Sequence, residues 1–571
     1  MLQMADTVRW TVSAGRDALR HRIQPYPGIS YVNLGFTPAD VDFYLKNRIS
    51  KQRILNRSTM LTFAEESYMK LYELLEKADI LTCSRPDLCL NLAVSGISSD
   101  SRCMKEDCVF VCVRGTRTDG HLYIQNAIAG GAAVVILEDP SFISVCGDTP
   151  WILSENTHAL LSEMWLAYYH HPEEKLKLIA VTGTNGKTSV THLLRAIFSK
   201  AGYQTGMIGT VHNIVGGDDC PAVMTTPDPD EIARLLFRMA KCGTEYVFME
   251  ASSHALSLDR LSGLFFAAGI FTNLTPEHLD FHGTMENYLA AKQKLFFSCA
   301  RSLFCADSSY ASAISSHPNI TGKKYFFSAE DKAEADFIAK NIKYKGVEGS
   351  EYEFLTNSVL FHVKTPLPGH FSVCNTLAAA SCAFLFGVPQ RIIADSIADF
   401  SAVPGRIEAL PVPADFSVFL DYAHTPDALQ NILLTLKSAK QDGARLILVF
   451  GCGGDRDATK RPVMGRIASR TADFCIITSD NSRSEDPLEI IRQILRGIDK
   501  EAPHAVICDR TEAIRYALDT ARPGDIVLLA GKGHEDYEIT VDGKHPFSEK
   551  QIVSQYFQNK NSPANDPKKK A

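Results

Sequence analysis

Short apolar runs that end in glycine, charge or histidine recur along this chain, alternating with stretches whose apolar positions repeat at helical spacing. "LKLIAVTG", "EYVFMEASSH", "AAGIFTNL" and "RSLFCADS" open on runs without polar alternation, the pattern of strands buried on both faces of a parallel sheet. Between them, "SVTHLLRAIFSKAGY" places Val190, Leu193, Leu194, Ile197 and Phe198 on one face of a helix. "TMENYLAAKQKLFFS" does the same with Tyr288, Lys292, Leu295 and Phe296, and turns Lys294 elsewhere. The alternation restarts after "VPGRIEAL" with "SVFLDYAH", "ARLILVFGCGGDRD", "FCIITSDNSRSEDP", "HAVICDR" and "DIVLLAGKGHED". Ahead of both series, "MKLYELLEKADIL" predicts an amphipathic helix from Met69. "VSGISSDSR", "DCVFVCVRGTRTDGH" and "GAAVVILED" then predict short strands with glycine-marked turns and one helix.

These series predict an α/β protein of three domains: a small N-terminal α/β domain over 69–157, a central parallel-sheet domain over 158–403, and a C-terminal Rossmann-like α/β domain over 404–557. At about 100 to 200 residues per domain, 571 residues are too many for one core. Residues 1–68 carry no recognisable chemistry and are expected to be an extension, or to precede a true start at Met69. Asp6, Asp17, Asp40 and Asp42 weigh against a transit peptide. The polar, proline-bearing stretch 558–571 is expected to be a disordered tail.

Composition narrows the partners. A net charge of −7 with 45% hydrophobic and 22% charged residues leaves no electrostatic footprint for nucleic acid. The apolar runs fall short of the ~18 residues a membrane span needs, so a cytoplasmic protein without membrane contact is expected. The 15 cysteines are spread along the chain, mostly within apolar runs, as reduced buried thiols are. Cys103, Cys108 and Cys112 match no zinc spacing.

The candidate chemistry begins at "GTNGKTS", a phosphate loop shorter than usual, because the position for its first glycine is Val181, still in the strand. Gly183 and Gly186 let backbone N–H groups converge on phosphate oxygens at a helix N-terminus, Lys187 neutralises the outer phosphates, and Thr188 is placed to ligate Mg²⁺. Glu250, where "EYVFME" reaches its carboxyl edge, is the second acid a metal requires, and His278 follows another buried strand. Lys292 falls within an apolar helix face. Either it snorkels to solvent, or burial neutralises it into an amine that can take up CO₂ as an anionic carbamate. Helical phase alone does not choose.

Taken in order, "TGTNGKTS", "TTPDP", "MEASSHAL", "TNLTPEHLDFHGTMENYLAAKQKLF", "PGHFSVCN", "PGRIE", "DYAHTPDAL", "GCGGDRDATKRP" and "AGKGHEDYE" resemble the motifs of the Mur ligases, which build the peptide stem of bacterial peptidoglycan, and of the related folylpolyglutamate synthases. The resemblance covers most of residues 69–555. It implies a domain for the UDP end of the substrate, a central ATPase domain and a domain for the incoming amino acid. It implies that Gly183, Thr184, Asn185, Gly186, Lys187, Thr188, Ser189, Asn375, Arg406 and Asp421 hold ATP. Thr188, Glu250, His278 and a carbamylated Lys292 would hold Mg²⁺, with Lys187, Lys292, Glu250 and His278 catalytic. Ser101, Thr116, Arg117, Thr118, Thr225, Thr226, Ser252 and Arg260 would hold the UDP-sugar peptide.

"SSDSR", "GTRTDGH" and "TSDNSRSEDP" are most similar to the branch adding the third stem residue to UDP-N-acetylmuramoyl-L-alanyl-D-glutamate. Its diaminopimelate-adding form carries Asp-Asn-Pro-Arg. Asp480, Asn481 and Arg483 match, while Ser482 replaces the proline, an exchange expected to loosen the loop that aims Arg483 and to leave lysine or ornithine open. Arg456, Arg483, Gly531 and Glu535 complete the implied amino-acid site, since guanidinium groups pair with carboxylates bidentately. The chemistry implied is an acyl phosphate formed from ATP and then displaced by an amine, in a monomer. A P-loop switch or transport ATPase is the rival, and it predicts ATP turnover without an acceptor.

Overall fold

The computed structural model describes residues 68–76, 80–85, 91–115, 118–332 and 334–560. Thr116, Arg117, residues 1–67 of the expected extension and residues 561–571 of the expected tail lie outside them.

Among the described residues the chain lays down three large sheets in succession, with two two-stranded pairs beside them. The first joins β1 (Ile80–Cys83), β2 (Gly96–Ser98), β3 (Cys108–Val111), β4 (Ala132–Leu137) and β5 (Trp151–Ser154) in the order β1-β5-β4-β3-β2, parallel except for β1. The helix expected from Met69 is shorter than its periodicity predicts. Among the described residues of that stretch Leu71–Leu74 is helical, while Met69–Lys70 pairs with Ala93–Val94 and Ile80–Cys83 is drawn into a backbone ladder with β5. Helix α1 (Thr157–Tyr168) packs Leu160, Leu161 and Met164 into this first core.

The central sheet is built on β6 (Lys177–Thr182), β7 (Thr205–Ile208), β8 (His212–Val215), β9 (Asp218–Pro221), β10 (Tyr246–Glu250), β11 (Phe266–Phe271), β12 (Arg301–Cys305), β13 (Lys323–Ser328), β14 (Phe337–Tyr344), β15 (Ser350–Leu355) and β16 (Leu360–Thr365). Its order is β9-β8-β7-β10-β6-β11-β12-β13-β14-β15-β16. The strands from β7 to β14 in that order run parallel, as the unbroken apolar runs predict; hairpins add antiparallel strands at both ends. Helix α2 (Lys187–Lys200) buries Val190, Leu193, Leu194, Ile197 and Phe198 completely against this sheet, each contributing roughly 1.5–3 kcal/mol. Helix α3 (Pro229–Lys241) covers the opposite face through Ile232, Leu235 and Leu236.

On that opposite face also lies α4 (Met285–Phe297). Thr284 caps it by accepting a hydrogen bond from the Asn287 N–H at 3.2 Å, which fixes the helical phase that turns Tyr288, Lys292, Leu295 and Phe296 inward. Helix α5 (His370–Leu385) packs beside α2.

The third sheet comprises β17 (Glu408–Leu410), β18 (Ser417–Asp421), β19 (Leu446–Phe450), β20 (Phe474–Ile477), β21 (His504–Val506) and β22 (Ile526–Ala530), ordered β17-β18-β22-β19-β20-β21 and parallel except for β17. All five strands expected after "VPGRIEAL" are present. Helix α6 (Pro426–Ala439) starts just beyond β18, with Thr425 as its cap. Among the described residues no helix is long and apolar enough to cross a membrane.

Candidate active site

Strand β6 delivers the chain into the phosphate loop, and α2 leads it out. Gly183 has φ +150° and Gly186 φ +88°, and a Cβ at either would meet a neighbouring side-chain oxygen, Thr272 Oγ1 at 2.0 Å or Asn375 Oδ1 at 2.5 Å. The two glycines therefore answer a close approach as well as a turn. Asn185 is held by its backbone: its N–H donates to Asn273 Oδ1 at 2.9 Å, and its carbonyl accepts from Thr272 Oγ1 at 2.6 Å and Asn273 Nδ2 at 3.2 Å. Lys187 folds back under the loop, donating to the carbonyls of Gly183 and Thr184, both at 2.9 Å. Burial first, and then the Arg406 guanidinium, hold its pKa below the usual lysine range against the pull of Glu277 and Glu250.

Glu250 ends β10 almost wholly buried, at 1% exposure. Its carboxylate accepts from the Thr210 N–H at 2.8 Å, from Thr210 Oγ1 at 3.0 Å and from Thr188 Oγ1 at 2.9 Å. A buried carboxylate with an adjoining hydroxyl is a hard oxygen donor set of the kind Mg²⁺ takes. His278 adopts a left-handed backbone conformation, φ +55°, and lines the same cleft. Loss of solvent around its ring, and after it any positive charge on the neighbouring Lys187 and Lys292, hold its pKa below the usual value.

Lys292 does not snorkel. It is 1% exposed, its Nζ donates to the Gly183 carbonyl at 2.8 Å, and it lies 4.5 Å from the centroid of the Tyr288 ring. Burial, reinforced by Lys187, holds its pKa well below the ordinary lysine value and favours a neutral amine. Lys294, two residues on, reaches Asp259 at 2.7 Å on the partly exposed side of the helix.

A cleft of about 530 Å³ is lined jointly by the central and C-terminal domains. Thr184, Asn185, Gly186, Lys187, Thr188, Ser189, Thr225, Glu250, His278 and Asn375 face it from one side, and Arg406 and Asp421 from the other. Asp421 is buried at the end of β18 and accepts from the N–H groups of Ile407 at 2.8 Å and Ala423 at 2.9 Å; burial raises its pKa. The Arg406 guanidinium stacks 5.0 Å from the Tyr422 ring. Thr226, Ser252 and Arg260 gather behind Glu250. Thr226 Oγ1 donates to the Glu250 carbonyl at 2.7 Å and accepts from the Ser252 N–H at 3.0 Å, and Arg260 donates to the Thr226 carbonyl at 3.1 Å.

Residues 93–169 match the model of the Mur ligase family catalytic domain, 181–383 that of the Mur ligase middle domain, and 405–533 that of the Mur ligase glutamate ligase domain. The UDP-N-acetylmuramoyl-L-alanyl-D-glutamate–2,6-diaminopimelate ligase of Caldanaerobacter subterraneus subsp. tengcongensis is 42% identical over 467 residues, which is 81% of this chain and 95% of that protein. The chain belongs to the Mur ligase family. A protein of the same description from Clostridioides difficile is 39% identical over 492 residues, 85% of this chain and 99% of its own. A solved structure of a UDP-N-acetylmuramoyl-L-alanyl-D-glutamate–2,6-diaminopimelate ligase superposes with a TM-score of 0.62 at 30% identity, covering 87% of this chain and 100% of that one.

In this Mur ligase the residues expected to take the amino acid, Arg456 apart, lie at the carboxyl ends of β20 and β22. Asn481 Nδ2 donates to Glu535 Oε2 at 2.8 Å, and Asn481 Oδ1 accepts from Lys532 Nζ at 3.0 Å and the Ile539 N–H at 2.9 Å. A Cβ on Gly531 would lie 2.7 Å from Asp480 Oδ2. Burial raises the pKa of Glu535, and Tyr422, which lines the cleft, donates to it at 3.4 Å. Arg483 donates to the Gly454 carbonyl at 2.7 Å from a left-handed backbone, φ +51°, and Arg456 is exposed.

Ser482 stands where the proline would, in an enclosed loop. Ser482 is 6% exposed, and the loop is cross-braced behind it. Buried Arg461 donates to both oxygens of Glu485 at 2.8 Å, to Gln493 Oε1 at 2.8 Å and to the Gly453 carbonyl at 3.1 Å, while Ser484 Oγ donates to Asp455 at 2.6 Å.

In the N-terminal domain Ser101 opens a short turn capped by Asp100, and the Thr118 carbonyl accepts from the Gly115 N–H at 2.9 Å. Neither lines the cleft. Residue patterns alone passed over Thr210, Asn273, Asp427 and Arg461. Asn273, Asp427 and Arg461 stand inside quoted motifs, but their partners are supplied by distant parts of the chain.

Proposed function

We propose that this Mur ligase joins meso-diaminopimelate to UDP-N-acetylmuramoyl-L-alanyl-D-glutamate at the expense of ATP. The observation that carries it is one cleft lined by both a phosphate loop and the C-terminal domain, with Tyr422 linking that cleft to Glu535 in the amino-acid site.

The geometry supports a two-step reaction. Loop N–H groups and Lys187 hold the triphosphate, and the side-chain carboxylate of the D-glutamate attacks the γ-phosphorus, releasing ADP and leaving an acyl phosphate. The amine of the incoming residue then adds to the acyl carbon, and phosphate departs with the former carboxylate oxygen. Phosphoryl transfer asks for positioning and charge neutralisation, so no nucleophilic side chain is required.

The buried hydroxyl and carboxylate of Thr188 and Glu250 fit Mg²⁺, and with His278 and a carbamate on Lys292 they would hold it; when bound, it supplies positive charge against the phosphates. The enclosed amine of Lys292, its pKa held low by burial, suits carbamate formation, in which the unprotonated amine bonds to CO₂ and loses one proton. The Arg483 and Arg456 guanidinium groups suit the amino acid's carboxylates, and Ser101, Thr116, Arg117, Thr118, Thr225, Thr226, Ser252 and Arg260 the UDP-sugar peptide.

Incubation with ATP, the UDP-muramoyl dipeptide and, in turn, meso-diaminopimelate, lysine or ornithine tests this by product mass. Amide is expected with diaminopimelate. Amide with ornithine or lysine alone would overturn the amino-acid assignment. ATP hydrolysis equally fast with and without the dipeptide would overturn ligation.

A further inference from the structure

One carboxylate joins the two halves of the cleft. Asp427, half-buried in the first turn of α6 in the C-terminal domain, accepts three hydrogen bonds on its Oδ2. Asn185 Nδ2 of the phosphate loop donates at 2.7 Å, Thr275 Oγ1 at 2.9 Å and Asn431 Nδ2 at 3.2 Å. The first two come from the central domain, 242 and 152 residues away in sequence. The third comes from one turn along α6 and aims the carboxylate across the gap. Placement at a helix N-terminus also favours the negative charge.

The two central-domain donors are themselves joined. The Thr275 N–H donates to Thr184 Oγ1 at 3.0 Å, and Thr184 Oγ1 lies 3.1 Å from the Tyr288 hydroxyl on the helix that carries Lys292. Asp427 therefore grips both the loop that would hold the phosphates and the segment leading to His278. Asn185 is otherwise fixed through its backbone, so its side chain is free to report to another domain.

We propose that Asp427 is the positioning residue through which the C-terminal domain sets the phosphate loop, so that phosphoryl transfer runs only when the amine-binding face is in place. This rests on the ligase assignment above. It predicts a specific failure when the contact is cut. The acyl phosphate, no longer matched to a seated amine, is captured by water, which returns the carboxylate and releases phosphate, and ATP is consumed without amide.

The test measures ADP and amide in the same reaction for wild type, Asp427→Ala, Asp427→Glu, Thr275→Val and the Asp427→Ala/Thr275→Val double variant. Asp427→Ala is expected to lower kcat for amide roughly ten- to hundredfold, the scale of a lost charge-assisted hydrogen bond. The ratio of ADP to amide should rise above one while melting temperature and ADP affinity hold. Asp427→Glu should restore part of the coupling. The double variant should be no worse than Asp427→Ala, because both changes cut one connection. If Asp427→Ala does not fold, the raised ADP-to-amide ratio is read in Thr275→Val, which removes one donor. Unchanged coupling in the folded single variants, or strictly additive losses, overturns the positioning role. Wild-type protein that makes no amide overturns the ligase assignment itself.

Discussion

The phosphate-loop cleft and the proposed amino-acid site beside it are built on different principles. Around the phosphate loop, precision comes from burial: Lys292 and Glu250 are 1% exposed, two glycines admit close backbone approach, and the contacts run mainly to backbone groups and hydroxyls. Around Asn481 and Arg483, precision comes from charge. Arg461, Glu485, Lys532, Glu535 and Asp455 hold loops that packing alone would leave free, and Arg456 remains exposed. The phosphate loop draws its shape from close packing, to which Asp427 adds a contact from the C-terminal domain. The proposed amino-acid site is assembled from loops whose bracing sets its shape.

The comparison breaks most visibly at Lys187. Lys187→Ala should lower amide formation by on the order of a thousandfold, measured as product per enzyme at saturating substrates, with melting temperature little changed. Lys292→Ala is expected to cost on the order of a hundredfold. Depleting bicarbonate should slow the wild type and leave the remaining Lys292→Ala activity unmoved, since the variant lacks the enclosed amine that would take up CO₂.

At the proposed amino-acid site the effects turn from rate to affinity and stability. Arg461→Ala should raise KM for the amino acid about tenfold while KM for ATP stays constant, seen in a two-substrate titration. It should destabilise the protein toward the lower end of the ~3–5 kcal/mol for breaking a buried pair, because Glu485 keeps 31% exposure and can hydrate.

The two sites should also separate with pH. Hydrogen bonding to Arg461 lowers the pKa of Glu485. Its contribution is therefore full above the unfolded value of about 4.3 and is lost as pH falls through the lower folded value. Thermal melts of wild type and Glu485→Gln should differ above that range and converge below it. The smallest effect is expected at Ser482→Pro. With the loop braced from behind, KM for the amino acid should stay within about twofold of wild type in the same titration.

Much of this was legible from periodicity. The apolar faces of α2 and α4 and the central strands were readable because each leaves a local signal of burial. Lys292 was readable as a conflict, a cation in an apolar stripe, although only packing shows that it stays inside. The flanking hairpins were not readable, since β8, β9 and β16 mix polar and apolar positions and gain their stability from neighbours already in place. The helix expected from Met69 failed for a related reason, with strand pairing overriding local amphipathicity. Asp427 and Arg461 stayed hidden because a carboxylate or guanidinium in a motif does not announce its partner. The bracing that Arg461 gives the loop after Ser482 is invisible at that distance in the chain.

The most direct measurement follows an oxygen atom. With oxygen-18 in the side-chain carboxylate of the dipeptide's glutamate, transfer of the terminal phosphoryl group onto that carboxylate must leave one labelled oxygen in each phosphate released with amide. Phosphate carrying one label per amide is the predicted result. Unlabelled phosphate, with amide still formed, would contradict the acyl phosphate and the role given to the phosphate loop.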